Sequence, residues 1–165
     1  MAKQETFSVD EWALLRLAPL LVAGGMGAAD PSGLFASIKE AASSAMGMAE
    51  AFRANSSLEL FAALGADRSM PDMPDTKQLL GEGSREQQIQ NFKAAVLERI
   101  KAAVSLVSAK GTPAEADAYK KMLVDVAERA ANASKEGGFL GFGGVRVSDK
   151  EHAFIAEVKQ AVGIA

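Results

Sequence analysis

Apolar side chains recur every three or four positions through most of the chain, and this spacing constrains the fold more than any other feature. The clearest case runs from 85 to 109, where one stripe is formed by Ile89, Phe92, Val96, Ile100, Ala103 and Val107. Similar stripes lie in 113–135 and in 149–163. A period near 3.6 residues is that of an α-helix, and each stripe must be buried against another element. The pattern therefore predicts an all-α fold.

Four helix starts share one capping device, in which a Ser or Thr caps a backbone N–H and a Glu or Gln three positions later reaches back. The four pairs are Ser8/Glu11, Ser84/Gln87, Thr112/Glu115 and Ser148/Glu151. In the third pair, Pro113 also stands at the first helical position, where its missing N–H costs nothing. These signals predict helices that begin near residues 9, 85, 113 and 149.

A first helix is predicted over about 9–29. Its interior Pro19 should kink it, because proline removes a backbone hydrogen bond. Gly24 and Gly25 follow, and each costs about 1 kcal/mol of helix propensity relative to alanine, so we expect another backbone or a ligand to approach closely there. The side chains expected in the core are Trp12, Leu15, Leu20 and Val22.

Two further helices are predicted in the front half, over about 34–54 and about 56–65, where Gly65 should end the second of them. A doubled Met-Pro-Asp then forbids regular structure, apart from one short helical turn. The loop 66–83 is a possible internal boundary, yet each half is too small and incomplete to be a separate domain. We predict one domain over 1–165, a bundle of five or six helices with an irregular front half.

Charge and composition exclude several classes of function. The net charge is −3, so the chain lacks the basic field that nucleic-acid phosphates require. There is no cysteine, which removes disulfides and thiolate metal ligands and is compatible with the cytoplasm. The apolar run 12–29 carries Arg16 and Pro19 and is shorter than the ~20 residues of a membrane span, which argues against membrane association.

No catalytic or cofactor motif stands out. His152 is the only histidine, and we expect it to be exposed at the start of the last helix. The chain has no nucleophile elbow, no paired histidines on a helix, and neither a phosphate-binding nor a calcium-binding loop. We therefore expect a protein that is not an enzyme and that uses no cofactor.

The most unusual segment is GGFLGFGGVRVS, which begins at residue 137 and leads into the last helix start. Its candidate contact residues are Phe139, Leu140, Phe142 and Arg146. The three apolar side chains either fold back as a plug over the open end of the bundle or are presented to a partner. Burial of each is worth roughly 1.5–3 kcal/mol, which favours the plug.

Two other places are candidate partner contacts. Met70 and Met73 lie on the Pro-Asp loop, where flexible methionines suit a protein partner and, less well, soft Cu(I). Gly24 and Gly25 belong to a face of small residues that spans 23–49.

The leading hypothesis is a non-enzymatic interaction or accessory protein, a subunit of a larger assembly or a self-associating chain. The alternative is a small-ligand or metal-binding protein, with the ligand between helices near the same glycines and Met46.

The segment GVRVSDKE at 144–151, together with the apolar helix that follows it, resembles the end of a tellurite-resistance TerB-like helical domain. In that family a Gly-x-[Ile/Val]-Ser-x-x-Glu turn starts a short amphipathic helix, and the resemblance implies a helical protein that binds a small ligand or metal. The family carries Ala-Asp before the glycine, at an acidic position linked to metal binding, whereas this chain has Phe142-Gly143. The whole chain also resembles bacterial all-helical proteins with a GGFLGFGG-type segment near the end, which implies no activity.

Overall fold

The structure is a computed structural model, and it describes residues 4–29, 45–69, 71–72, 74–135 and 147–164. Within these residues every regular element is a helix and none is a strand, so the all-α prediction is confirmed. A 3-10 turn, Gln4–Thr6, comes first. The α-helices that follow are α1 (Val9–Ala29), α2 (45–54), α3 (Glu59–Ala66), α4 (Thr76–Leu80), α5 (Arg85–Lys110), α6 (Pro113–Lys135) and α7 (Asp149–Val162).

All four predicted capping boxes are present. At α5, for example, the Ser84 hydroxyl accepts from the Gln87 N–H, and the Gln87 side chain accepts from the Ser84 N–H. The same reciprocal pair starts α1, α6 and α7. Since each box satisfies backbone donors that a helix start leaves free, these boundaries are fixed locally by sequence.

The core is formed by α1, α5, α6 and α7, each of which packs against the other three. The two residues Gly111 and Thr112 join α5 to α6, so these helices lie antiparallel. The predicted stripes face this core, with Ile89, Phe92 and Ile155 only half-buried. Its fully buried side chains include Leu15, Val22, Val96, Ile100, Met122, Leu123, Phe154 and Val158.

One predicted core residue of α1 is wrong. Leu20 is half-buried, and Leu21 is buried in its place. Leu20 lies five residues after Leu15, which turns it by about 140° around the helix and away from the core side.

Helix α1 continues through Pro19, and a side chain from α6 replaces the lost hydrogen bond. Proline has no N–H, so the Leu15 C=O, four residues earlier, has no helical donor. The Tyr119 hydroxyl donates to this oxygen at 2.7 Å. Tyr119 is fully buried, and burial raises the pKa of its hydroxyl, which therefore stays a donor.

The two adjacent glycines of α1 have different surroundings. A Cβ placed on Gly25 would lie 2.4 Å from Cζ of Phe154, a contact that no real side chain tolerates. A Cβ on Gly24 would lie 3.6 Å from Cζ of Phe92, an ordinary contact, and Gly24 is exposed. The close approach expected here is thus made at Gly25, where the Phe154 ring of α7 packs directly on the α1 backbone.

Candidate partner-binding groove

An open, largely apolar groove of about 670 Å³ lies between α2 and α3. Phe61 and Leu64 form its buried floor, and Phe52 of α2 is a half-buried wall. Ala62 and Ala66 line the α3 side and are exposed. An apolar concavity whose small side chains remain exposed is typical of a surface that receives another molecule.

The start of α3 is held by a buried carboxylate from α6. Leu58, at the N-cap, supplies no side-chain cap. Instead, the Leu60 N–H donates to Glu115 Oε1 at 3.0 Å. The other oxygen, Oε2, accepts from the Thr112 N–H at 2.8 Å, within the capping box of α6. Glu115 is 1% exposed, so one buried side chain caps two helices and fixes α3 on the core.

The end of α3 is held by a second carboxylate, Asp67, which faces α1. Its Oδ2 accepts from Trp12 Nε1 at 2.9 Å and lies 3.1 Å from Nη1 of Arg16. Its Oδ1 accepts from the Ser69 hydroxyl at 2.7 Å and from the Ser69 N–H at 3.0 Å. The Ser69 hydroxyl, then the Trp12 indole and the Ser69 N–H, with Arg16 adding its charge, lower the pKa of Asp67 to about 2. Asp67 is therefore ionised and engaged with the protein itself.

Helix α2 is placed by contacts with α3 and α6. The Phe52 ring meets the Phe61 ring edge-on, with centroids 6.2 Å apart. Glu50 forms an ion pair with Arg129 of α6. A Cβ on Gly65 would lie 3.3 Å from Cβ of Phe52, so the glycine admits this ring. The prediction that Gly65 ends the helix is wrong, because α3 continues to Ala66 and Asp67 is its C-cap.

The groove is locally basic on an acidic protein. Arg53 in the last turn of α2 and Arg68 just after α3 both line it, and both are exposed. Neither forms an ion pair with another residue that the structure describes. The one carboxylate among the lining residues is Asp67, which is already neutralised by Arg16.

The predicted contact residues fall partly on this groove. Of the small-residue face 23–49, Ala45, Met48 and Ala49 line it. Gly25 is buried under Phe154, so packing within the chain occupies this position, while Gly24 is exposed on α1. The other candidates lie outside the described residues: Met70, Met73, Phe139, Leu140, Phe142 and Arg146. The same holds for the first part of the predicted helix 34–54.

Sequence reasoning missed Arg53, Arg68 and the alanines of α3 as site residues. A signal was present, since Ala62, Gly65 and Ala66 are spaced three and four apart and share one side of a short helix. What the sequence could not show is that α2 stands beside this side of α3.

His, Asp and Glu side chains are distributed over all parts of the described chain. Among the described residues no group of three or more His, Cys, Asp or Glu side chains is placed to hold a metal ion. His152 is exposed, as predicted. No helix in the described part of the chain has both the length and the apolar character that crossing a membrane demands.

No protein-family model, curated protein or solved structure matches this chain. The resemblance of 144–151 to TerB-like domains therefore stays a prediction. Of that segment the structure describes 147–151, where Ser148 and Glu151 form the capping box. Because the same device starts three other helices of this chain, it does not single out a family.

Proposed function

We propose that the chain is a non-enzymatic helical interaction protein, an accessory subunit that binds a protein partner in the groove between α2 and α3. The observation that carries this proposal is the exposure of Ala62 and Ala66 beside an apolar floor whose supporting helix is fixed at both ends. A groove held in place before binding loses little conformational freedom when a partner arrives. The absence of cysteine suits the cytoplasm as the compartment of this interaction.

Shape favours a protein segment over a small molecule. Small-ligand sites enclose most of their ligand, whereas this groove is open along α2 and α3. Open apolar grooves beside helices commonly receive the apolar face of an amphipathic segment. Met48, half-buried on the α2 wall, adds a flexible side chain of the kind that adapts to different partner surfaces.

The test is site-specific photo-crosslinking in a native extract. A photoreactive phenylalanine derivative replaces Ser56, which is exposed at the groove, or Ser105, which is exposed on α5 away from it. We expect a discrete adduct, identified by mass spectrometry, from position 56 and not from position 105. Adding Ala62→Arg, which fills the groove from an exposed position, should abolish the adduct, whereas Ala102→Arg on α5 should leave it. Equal adducts from both positions, or none, would contradict the proposal.

The second candidate is a small-ligand protein of the TerB-like type, and the groove volume of about 670 Å³ supports it because small-ligand sites have similar volumes. Native mass spectrometry of protein purified without chelator separates the two candidates. A stoichiometric bound molecule or metal that Ala62→Arg displaces would favour this candidate, and a bare chain mass would favour the protein partner.

A further inference from the structure

The groove carries a charge pattern that specifies its partner further. Arg53 lies in the last turn of α2, where its Nε donates to the Ala49 C=O at 3.4 Å, and Arg68 lies just beyond the end of α3. The lining of the groove therefore includes one cation from each of its two sides. The chain as a whole has a net charge of −3, whereas the groove is lined by two arginines that form no ion pair with another described residue and by one carboxylate that already binds Arg16.

Two carboxylates near α2 and α3 are already engaged, and Glu59 at the start of α3 is not among the groove residues. Asp67 is satisfied by Trp12, Arg16 and Ser69. Glu50, on α2, is paired with Arg129. No carboxylate among the groove residues is thus left to neutralise Arg53 or Arg68. Arginine presents a planar fork of donors that matches a carboxylate, so these two side chains are suited to an acidic partner.

From this arrangement we propose that the groove binds an acidic amphipathic helix, whose apolar side chains enter between α2 and α3 while flanking carboxylates meet Arg53 and Arg68. The inference rests on the proposed function and adds the chemistry of the partner. The carboxylates of the partner are accordingly expected beside its apolar stripe.

The experiment is to pan a displayed library of random helical peptides against the full chain. The enriched peptides should carry apolar residues at helical spacing and more Asp and Glu than the input library. Binding of the strongest peptide should weaken at least about tenfold in Arg53→Glu/Arg68→Glu, because each contact becomes a like-charge repulsion. The matched control Arg85→Glu/Lys101→Glu makes the same charge change at exposed positions of α5 away from the groove, and should weaken binding less than about twofold.

Location in the groove is tested separately from charge. Ala62→Arg adds a positive charge, which by itself would favour an acidic peptide, so loss of binding in the folded variant indicates that the groove is filled. Ala102→Arg should bind the peptide normally. Melting temperatures of all variants are compared with that of the parent chain to confirm folding. Enrichment of neutral or basic peptides, no enrichment at all, or binding unaffected by Arg53→Glu/Arg68→Glu would overturn the inference.

Two further outcomes would assign the groove to other occupants. A dimer in light scattering that Ala62→Arg converts to a monomer would make a second copy the occupant. Binding of dodecanoate that Ala62→Arg abolishes would indicate a small anionic amphiphile. Either result would overturn the acidic helix. If the crosslink from position 56 persists while the library yields no acidic preference, the proposed function stands and only its partner chemistry fails.

Discussion

The four-helix core and the α2–α3 pair bury apolar side chains to different degrees. In the core, each of α1, α5, α6 and α7 packs against the other three, and the Phe154 ring fills the space over Gly25 where a side chain would otherwise lie. The α2–α3 pair buries one side only. Leu60, Phe61 and Leu64 point inward, whereas Ala62 and Ala66 remain exposed along the groove.

The proposed binding groove thus lies apart from the region that contributes most to stability. Apolar burial supplies most of the favourable free energy of folding and is concentrated in the core. Oriented polar contacts, by contrast, fix geometry, and those of Glu115 and Asp67 hold the two ends of α3. The groove can therefore stay open without loss of the fold, and disturbing either region should have a distinct signature.

The largest expected effect comes from Glu115, which joins the two regions. Glu115→Ala should lower the free energy of unfolding by about 3 kcal/mol, because it leaves the Leu60 and Thr112 N–H groups without their buried acceptor. Gln87 occupies the same capping-box position of α5 but is exposed, so Gln87→Ala should cost only about 1 kcal/mol. Urea unfolding of both variants measures the contrast. Equal losses would show that α3 does not depend on Glu115.

The adjacent glycines of α1 should respond with opposite signs. Gly25→Ala should destabilise the chain by about 2 kcal/mol, since its Cβ would overlap the buried Phe154 ring. Gly24→Ala, at an exposed position with room for a Cβ, should stabilise it by up to about 1 kcal/mol through helix propensity. Thermal unfolding gives both values. Stabilisation by Gly25→Ala would mean that α7 does not pack closely on α1.

The hydroxyl of Tyr119 should contribute to stability through its hydrogen bond to the Leu15 C=O, which Pro19 leaves without a helical donor. Tyr119→Phe should cost about 1.5 kcal/mol, because the buried Leu15 C=O loses its donor. In a Pro19→Ala background, where residue 19 can donate to the same oxygen, the cost should shrink to about 0.5 kcal/mol. A double-mutant cycle by urea titration measures this coupling. An unchanged cost would show that the two features are independent.

The smallest expected effect is a pH dependence at the attachment of α3 to α1. The pKa of Asp67 is lowered from 3.8 to about 2 in the folded chain, so its contribution to stability is complete above pH 4. This contribution is lost as the pH falls through 4 towards 2. The difference in free energy of unfolding between the parent chain and Asp67→Asn should shrink over this interval. A difference that stays constant would show that the Asp67 contacts do not favour its ionised form.

Local signals predicted the core well. The four capping boxes were predicted correctly because each is completed within four residues of sequence. The buried sides of α5, α6 and α7 were predicted correctly because each long helix repeats its apolar spacing over many residues. Failures arose where a distant neighbour decided the outcome. Gly65, for example, lies inside α3 rather than at its end, and its missing side chain leaves room for Phe52 of α2.

The groove was less predictable than the core for the same reason. Part of its α2 wall was predicted as a small-residue face. The position of α3 beside α2 depends on two hydrogen bonds, Leu60 to Glu115 and Trp12 to Asp67, and each of them joins residues 55 positions apart. No short-range pattern reports such pairings. No feature of the sequence around Arg53 and Arg68 indicates that both line one groove.

Hydrogen exchange with mass spectrometry, on the full chain with and without the strongest acidic peptide, tests the separation of core and groove most directly. Binding in the groove should slow amide exchange in residues 45–68 and leave α5 and α6 unchanged, because a bound segment protects the backbone that it covers. Slower exchange spread evenly over the chain, or confined to α5 and α6, would contradict the assignment of partner binding to α2 and α3.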